Sequence, residues 1–276
     1  MSLRYSEFPV YVGGTSPSYY VPATRVDVNY NTTHSPKRKL GSAIASDDQF
    51  RFGGALTADI SFDCLVQTGL SAGLDFLADA NQSDYVSIRI GSGDFYKCYA
   101  TEVSVNVEPF APVSLSAKFV SLDPPTGIQI SGDTNPYGGG EIPFSGDDIV
   151  YGHTVIVGGG AGVLNDVQSN ISFSRTYSRT PIYQLGSINA ATLLLDGVEE
   201  ELSISSTGLE SLIGLSGDKL AGPLDVYLCG VGVGTSSAVI TDLINFPAGA
   251  RVLTEKYGVA GGDTVSTQAT IKQIKL

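Results

Sequence analysis

Residue types that carry acid–base, nucleophilic or metal chemistry are sparse in this chain. The two histidines, His34 and His153, stand far apart in non-equivalent contexts, which predicts surface or turn positions for both. Cys64, Cys98 and Cys229 lie within or beside apolar runs, far from one another and from either histidine. That spacing offers no zinc set and predicts buried free thiols in a reducing compartment. "GGGAG" at 158–162 follows an apolar run, as a phosphate loop would, but no lysine follows in place. The next residues resume a strand pattern where a helix would have to open. "DTNPYGGGE" at 133–141 begins like a calcium loop, yet Tyr137 and Phe144 occupy positions that need oxygen ligands. The expectation is no enzyme, no cofactor and no metal.

The informative pattern is a repeat. "SPKRKLGS" at 35–42 returns as "TPIYQLGS" at 180–187, and at the same displacement "VYVGG" (10–14) falls on "VIVGG" (155–159). Residues 10–42 set on 155–187 without a gap give eight identities in 33 positions, where ordinary composition gives roughly two. Further on, "DISFD" (59–63) falls on "ELSIS" (201–205) and "ATEVSVNV" (100–107) on "LTEKYGVA" (253–260). "VSLSAKFVSL" (113–122) then falls on "VSTQATIKQI" (265–274), with the order kept throughout. A tandem duplication is the expected origin.

The elements within each copy follow from hydropathy period. Leu56, Ala58, Ile60, Phe62 and Cys64 alternate with polar residues, which predicts a strand with one buried face. Val26, Val28 and Tyr30 alternate with Asp27, Asn29 and Asn31; Tyr99, Thr101, Val103, Val105 and Val107 alternate with Glu102, Ser104 and Asn106. One short helix is predicted per copy, from Leu70, Leu74 and Leu77 and from Leu209, Leu212 and Ile213. Prolines, glycines and acids across 123–148 read as a linker. The expected fold is mainly β: two tandem antiparallel β-sandwich or barrel domains, 1–122 and 149–276, each with one helix.

Charge narrows the partners. Sixteen Lys and Arg against 28 Asp and Glu give a net charge of −12. Such a surface repels phosphates, so neither nucleic acid nor anionic lipid is expected to bind stably. No basic-then-apolar leader opens the sequence, and no apolar run reaches the ~18 residues of a membrane span. A soluble chain made in a cytosol, without a membrane segment, is expected.

A duplicated β domain, a long excursion between strands in each copy (31–50 and 176–192), a short helix and acidic strand faces together resemble the bacteriophage tail tube family. That fold also occurs in tail hub and secretion-system tube proteins. The resemblance implies a structural virion protein, made in the host cytoplasm, whose rings stack into a tail tube that conducts DNA during ejection. With two domains per chain it implies a homotrimeric, pseudo-hexameric ring, and sheath, baseplate or terminator proteins as further partners. Acids on the polar strand faces, Asp27, Asp59, Asp63, Glu102, Glu201 and Glu255, would line the lumen. Lys37, Arg38 and Lys39 in one excursion and Ile182 and Tyr183 in the other would contact the next ring. Two alternatives stand beside this: a trimeric baseplate hub or tube terminator of the same fold, and a carbohydrate-binding or adhesin module presenting tyrosines such as Tyr5, Tyr11, Tyr19 and Tyr20.

Overall fold

The computed structural model describes residues 10–13, 19–21, 23–31, 34–36, 50–52, 57–66, 85–108, 111–125, 155–159, 162–163, 168–185, 189–206, 224–232, 235–246, 250–260 and 264–275. The expected helices, around 70–77 and 209–213, and most of the expected linker lie outside these residues. Every regular element among those described is a β-strand.

In the first half the strands are β1 (Val10–Gly13), β2 (Tyr19–Val21), β3 (Ala23–Asn31), β4 (His34–Pro36), β5 (Phe50–Phe52), β6 (Thr57–Leu65), β7 (Val86–Ile90), β8 (Gly93–Val107) and β9 (Ser114–Asp123). The second half contributes β10 (Val155–Gly159), β11 (Gly162–Val163), β12 (Gln168–Tyr183), β13 (Ala190–Ser206), β14 (Leu224–Gly232), β15 (Thr235–Phe246), β16 (Arg251–Ala260) and β17 (Thr264–Lys275). All pairings are antiparallel.

An eleven-stranded sheet dominates the architecture. Its backbone runs β3-β6-β9-β8 through the first half and β12-β13-β17-β16 through the second. The two quartets follow one plan: an early strand, its hairpin partner, the last strand and the next-to-last. They join where β8 pairs β12, Val107 opposite Ile171 through Glu102 opposite Thr176. The N-terminal part of β8 uses the same edge to pair β7, which leads to β1 and β2. In the second half the matching outer strands β11-β10-β14-β15 form a separate four-stranded sheet. Residues 34–36 and 50–52 form a small two-stranded ribbon.

Alternation fixes which side is wet. Ala58, Ile60, Phe62 and Cys64 on β6 are buried, as the period of two requires, and so are Leu115, Ala117 and Phe119 on β9. Phe62 stacks on Phe119 with ring centroids 5.7 Å apart. The same side carries Ile171, Phe173, Leu202, Ile204 and Ile271 from the second half, and the outer strands add Val10, Val12, Ile88, Ile90, Leu224 and Phe246 to one continuous core. Burial pushes the Cys98 thiol up to about 12 and the Cys64 thiol further in the same direction, so both behave as small apolar groups.

One alternation departs from expectation. A β-bulge between Ala100 and Glu102 adds a residue to β8, and β16 carries its counterpart between Val252 and Thr254. Tyr99 therefore leaves the side of Val103, Val105 and Val107 and joins Val120, Leu122, Ala190 and Leu193 in a second cluster. The bulges also correct the repeat by one residue. Val103 stands opposite Ala117 and Glu255 opposite Ala269, so Val103, not Glu102, is the counterpart of Glu255.

Candidate functional site

The polar side of the eight-stranded path gathers most of the acids singled out from sequence. Asp27 and Asn29 on β3, Asp59 and Ser61 on β6, and Thr101 and Lys118 on β8 and β9 line one shallow groove. Ser104 and Asn106 on β8, Ser172 and Ser174 on β12, and Glu201 and Ser203 on β13 line another. Asp63 and Glu102 continue the same rows, opposite Ser116 and Lys118. Five of the six acids proposed for a lumen thus share one face. Glu255 stands apart: the ladders place it opposite Ala269, in the row of Ile204 and Ile171, both buried.

Cations on this face are already engaged. Arg25 meets Asp27 at 2.7 Å, Lys118 meets Glu102 at 2.7 Å, and Lys272 pairs with Glu199. Asn31 donates to Asp59 at 2.6 Å. Glu199, which the sequence reading passed over, belongs to the face because it sits two residues before Glu201 on one strand. The remaining surface is hydroxyl and amide, with carboxylates in excess. Among the residues whose side chains are described, the cations of this face are paired with its own carboxylates, which leaves a polyanion little to grip.

Among the described residues β3 pairs only β6, and β16 pairs only β17. At the β8–β12 junction Ile171, Phe173 and Arg175 are buried. Their counterparts on β3 differ: Val26 and Val28 are half-buried and Tyr30 is 37% exposed. The first set has β8 as its neighbouring strand, whereas among the described residues no strand pairs the corresponding edge of β3.

Beside the junction lies a buried polar row. Arg175 donates from Nε to Glu200 at 2.7 Å, with the side chains 3% and 0% exposed, and Gln273 donates to the other carboxylate oxygen. Both charges sit at apolar parity, Arg175 after Ile171 and Phe173, Glu200 between Val198 and Leu202. A charge at apolar parity is the sequence signal of this buried pair. Arg179 stacks over Tyr99 and Tyr177, at 5.2 and 5.4 Å to the ring centroids, and donates from Nε to the Ala100 carbonyl. Burial pulls the Arg179 guanidinium below its ordinary value and pushes the Tyr177 phenol up, the latter opposed by Arg175.

These contacts seat a ribbon. Beyond Thr176, β12 has no β8 partner and continues to Tyr183 paired with β13 alone. Ala190 and Leu193 of this ribbon cover Tyr99 and Leu122, and the Tyr99 hydroxyl lies 2.9 Å from Thr192 Oγ1. Ile182 and Tyr183 are exposed on its outer part. Lys37, Arg38 and Lys39 lie outside the described residues. Of the tyrosines considered for a sugar-binding surface, Tyr11 is buried in the sheet, and Tyr5 lies outside the described residues.

Among the described residues no group of three or more His, Cys, Asp or Glu comes together as a metal site, and no helix is long and apolar enough to cross a membrane. No protein-family model matches the chain, and neither does a curated protein.

Proposed function

We propose that the chain is a ring-forming subunit of a phage tail tube, built from two tandem tube-like domains, 1–122 and 149–276, joined through 123–148, each with one short helix. Three copies close a ring by pairing β16 of one copy with β3 of the next, so that the eight strands of each chain continue into a single barrel. The observation that carries this is the repeated strand order with a built-in junction: β8–β12 is already formed, and β3 and β16 are the two edges that would repeat it. Copying the β8–β12 register through the repeat puts Val26 opposite Val259, Val28 opposite Tyr257 and Tyr30 opposite Glu255. The half-buried valines of β3 then gain the cover that Ile171 and Phe173 already have.

The polar face, with Asp27, Asp59, Asp63, Glu102 and Glu201, turns to the lumen in this ring. Duplex DNA carries about one negative charge per 1.7 Å of axis. A bore lined by hydroxyls, amides and an excess of carboxylates lets it slide without releasing counterions. Ile182 and Tyr183 on the β12–β13 ribbon, and Lys37, Arg38 and Lys39 in the equivalent excursion, face the neighbouring ring.

Native mass spectrometry of assembled particles is expected to show three chains per ring. Six chains per ring would overturn the reading, and single rings that never stack at high concentration would favour a hub or terminator of the same fold. Exchange of Asp59, Asp63 and Glu201 together for lysine tests the bore. Exposed and half-exposed changes of this kind cost about half a kcal/mol or less each, so folding is expected to survive. Assembled particles are expected to hold DNA at low salt and release it as salt rises. Normal DNA passage at low salt would remove these residues from the lumen.

A further inference from the structure

Ile274 breaks the pattern of its surroundings. It stands on β17 opposite Glu199, at the end of a polar row, and is 64% exposed. Its counterpart through the repeat is Leu122 on β9, which is 4% exposed. The ladders support the match: Phe119 and Ile271 occupy equivalent places opposite Ala100 and Val252, and Leu122 and Ile274 each lie three residues further on. Leu122 is buried because the β12–β13 ribbon folds over it with Ala190 and Leu193.

We infer that Ile274 is the seat for the β4–β5 ribbon of the next copy in the ring. The inference rests on ring closure through β16 and β3, and names the second contact that closure makes. Pro36 and Pro181 hold the same place in the two ribbons. Phe50 lies opposite Pro36 as Leu193 lies opposite Pro181, and Phe52 lies opposite His34 as Leu195 lies opposite Arg179. Phe50 of one copy is thereby assigned to Ile274 of its neighbour, as Leu193 is to Leu122 within the chain. The polar contact has a matching donor. Arg179 donates to the Ala100 carbonyl; through the repeat His34 holds the position of Arg179 and Val252 that of Ala100, and an imidazole N–H is likewise a donor. Each copy therefore lends its first-half ribbon to the next and keeps its second-half ribbon for itself.

Paired cysteines test the contact directly. A chain carrying Phe50→Cys and Ile274→Cys is expected to give covalent trimers on a non-reducing gel after mild oxidation, with neither single change nor the unaltered chain doing so. Ile274→Asp is expected to raise the concentration needed for ring formation about tenfold or more, the scale of one lost apolar burial. Native mass spectrometry reads ring formation independently. Rings that form while the cysteine pair stays unlinked, with Ile274→Asp assembling at the unaltered concentration, overturn this contact and leave closure through β16 and β3 standing. A chain that stays monomeric at every concentration overturns both.

Discussion

Glu200→Ala is expected to lower the unfolding free energy by about 3–5 kcal/mol, because it removes the carboxylate that pairs with the buried Arg175 guanidinium. Arg175 is 3% exposed and its Nε donates to Glu200 at 2.7 Å, so water cannot replace the lost partner without opening the sheet. Arg175→Met is expected to cost a similar amount by taking the guanidinium from the buried carboxylate, to which Gln273 continues to donate. The combined change, Arg175→Met with Glu200→Leu, is expected to fall close to the unaltered chain, since well-filled apolar replacements of buried ion pairs are often neutral. Urea denaturation of the four chains measures the cycle. Additive losses in the double variant would show that the two side chains do not act as a pair.

The largest effect on assembly is expected from the β3 edge. Val26→Lys with Val28→Lys puts two ammonium groups where the next copy's strand would pair, a device by which natural edge strands avoid unwanted partners. Both valines are only half-buried, and lysine stems can cover the same apolar surface with the charge led out to water, so the fold is expected to persist. If the unaltered chain forms the proposed rings, size-exclusion chromatography with light scattering is expected to show monomers of the double-lysine chain at the same concentrations, with an unchanged circular dichroism spectrum. Ser61→Lys, on the polar side of β6 and away from the edge, is the matched control and is expected to leave ring size alone. Rings of normal size from the double-lysine chain would exclude β3 as a closing edge.

Period-two patterning made the paired strands readable wherever a ladder runs without interruption. Ala58, Ile60, Phe62 and Cys64 were expected on one side of β6 and are buried there. The reading failed at the bulge. An inserted residue reverses every side chain beyond it, and nothing in "YATEVSVNV" marks the place, so Tyr99 was grouped with Val103 when it packs with Leu122. The same insertion misled the repeat, because the shared Thr-Glu pair of 101–102 and 254–255 made a convincing but shifted match. Glu255 entered the set of lumen acids through that shift. The β8–β12 junction could not be read at all, since long-range strand partnering leaves no local trace in the chain.

The single run of β8 has a mechanical consequence. From Gly93 to Val107 one uninterrupted strand belongs first to the outer β7 side and then to the β12 junction, with β9 along its other edge. Its counterpart is two strands: β15 ends at Phe246 and β16 starts at Arg251. A load applied to the outer strands of the first half is transmitted to the inner strands along one covalent beam, whereas in the second half the outer strands form a sheet of their own and no single strand runs from it into the inner one. Around the proposed ring of three copies, sectors with one continuous strand and sectors with two would alternate. A pipe made of such rings would then bend by yielding at three sectors while the other three keep its bore round.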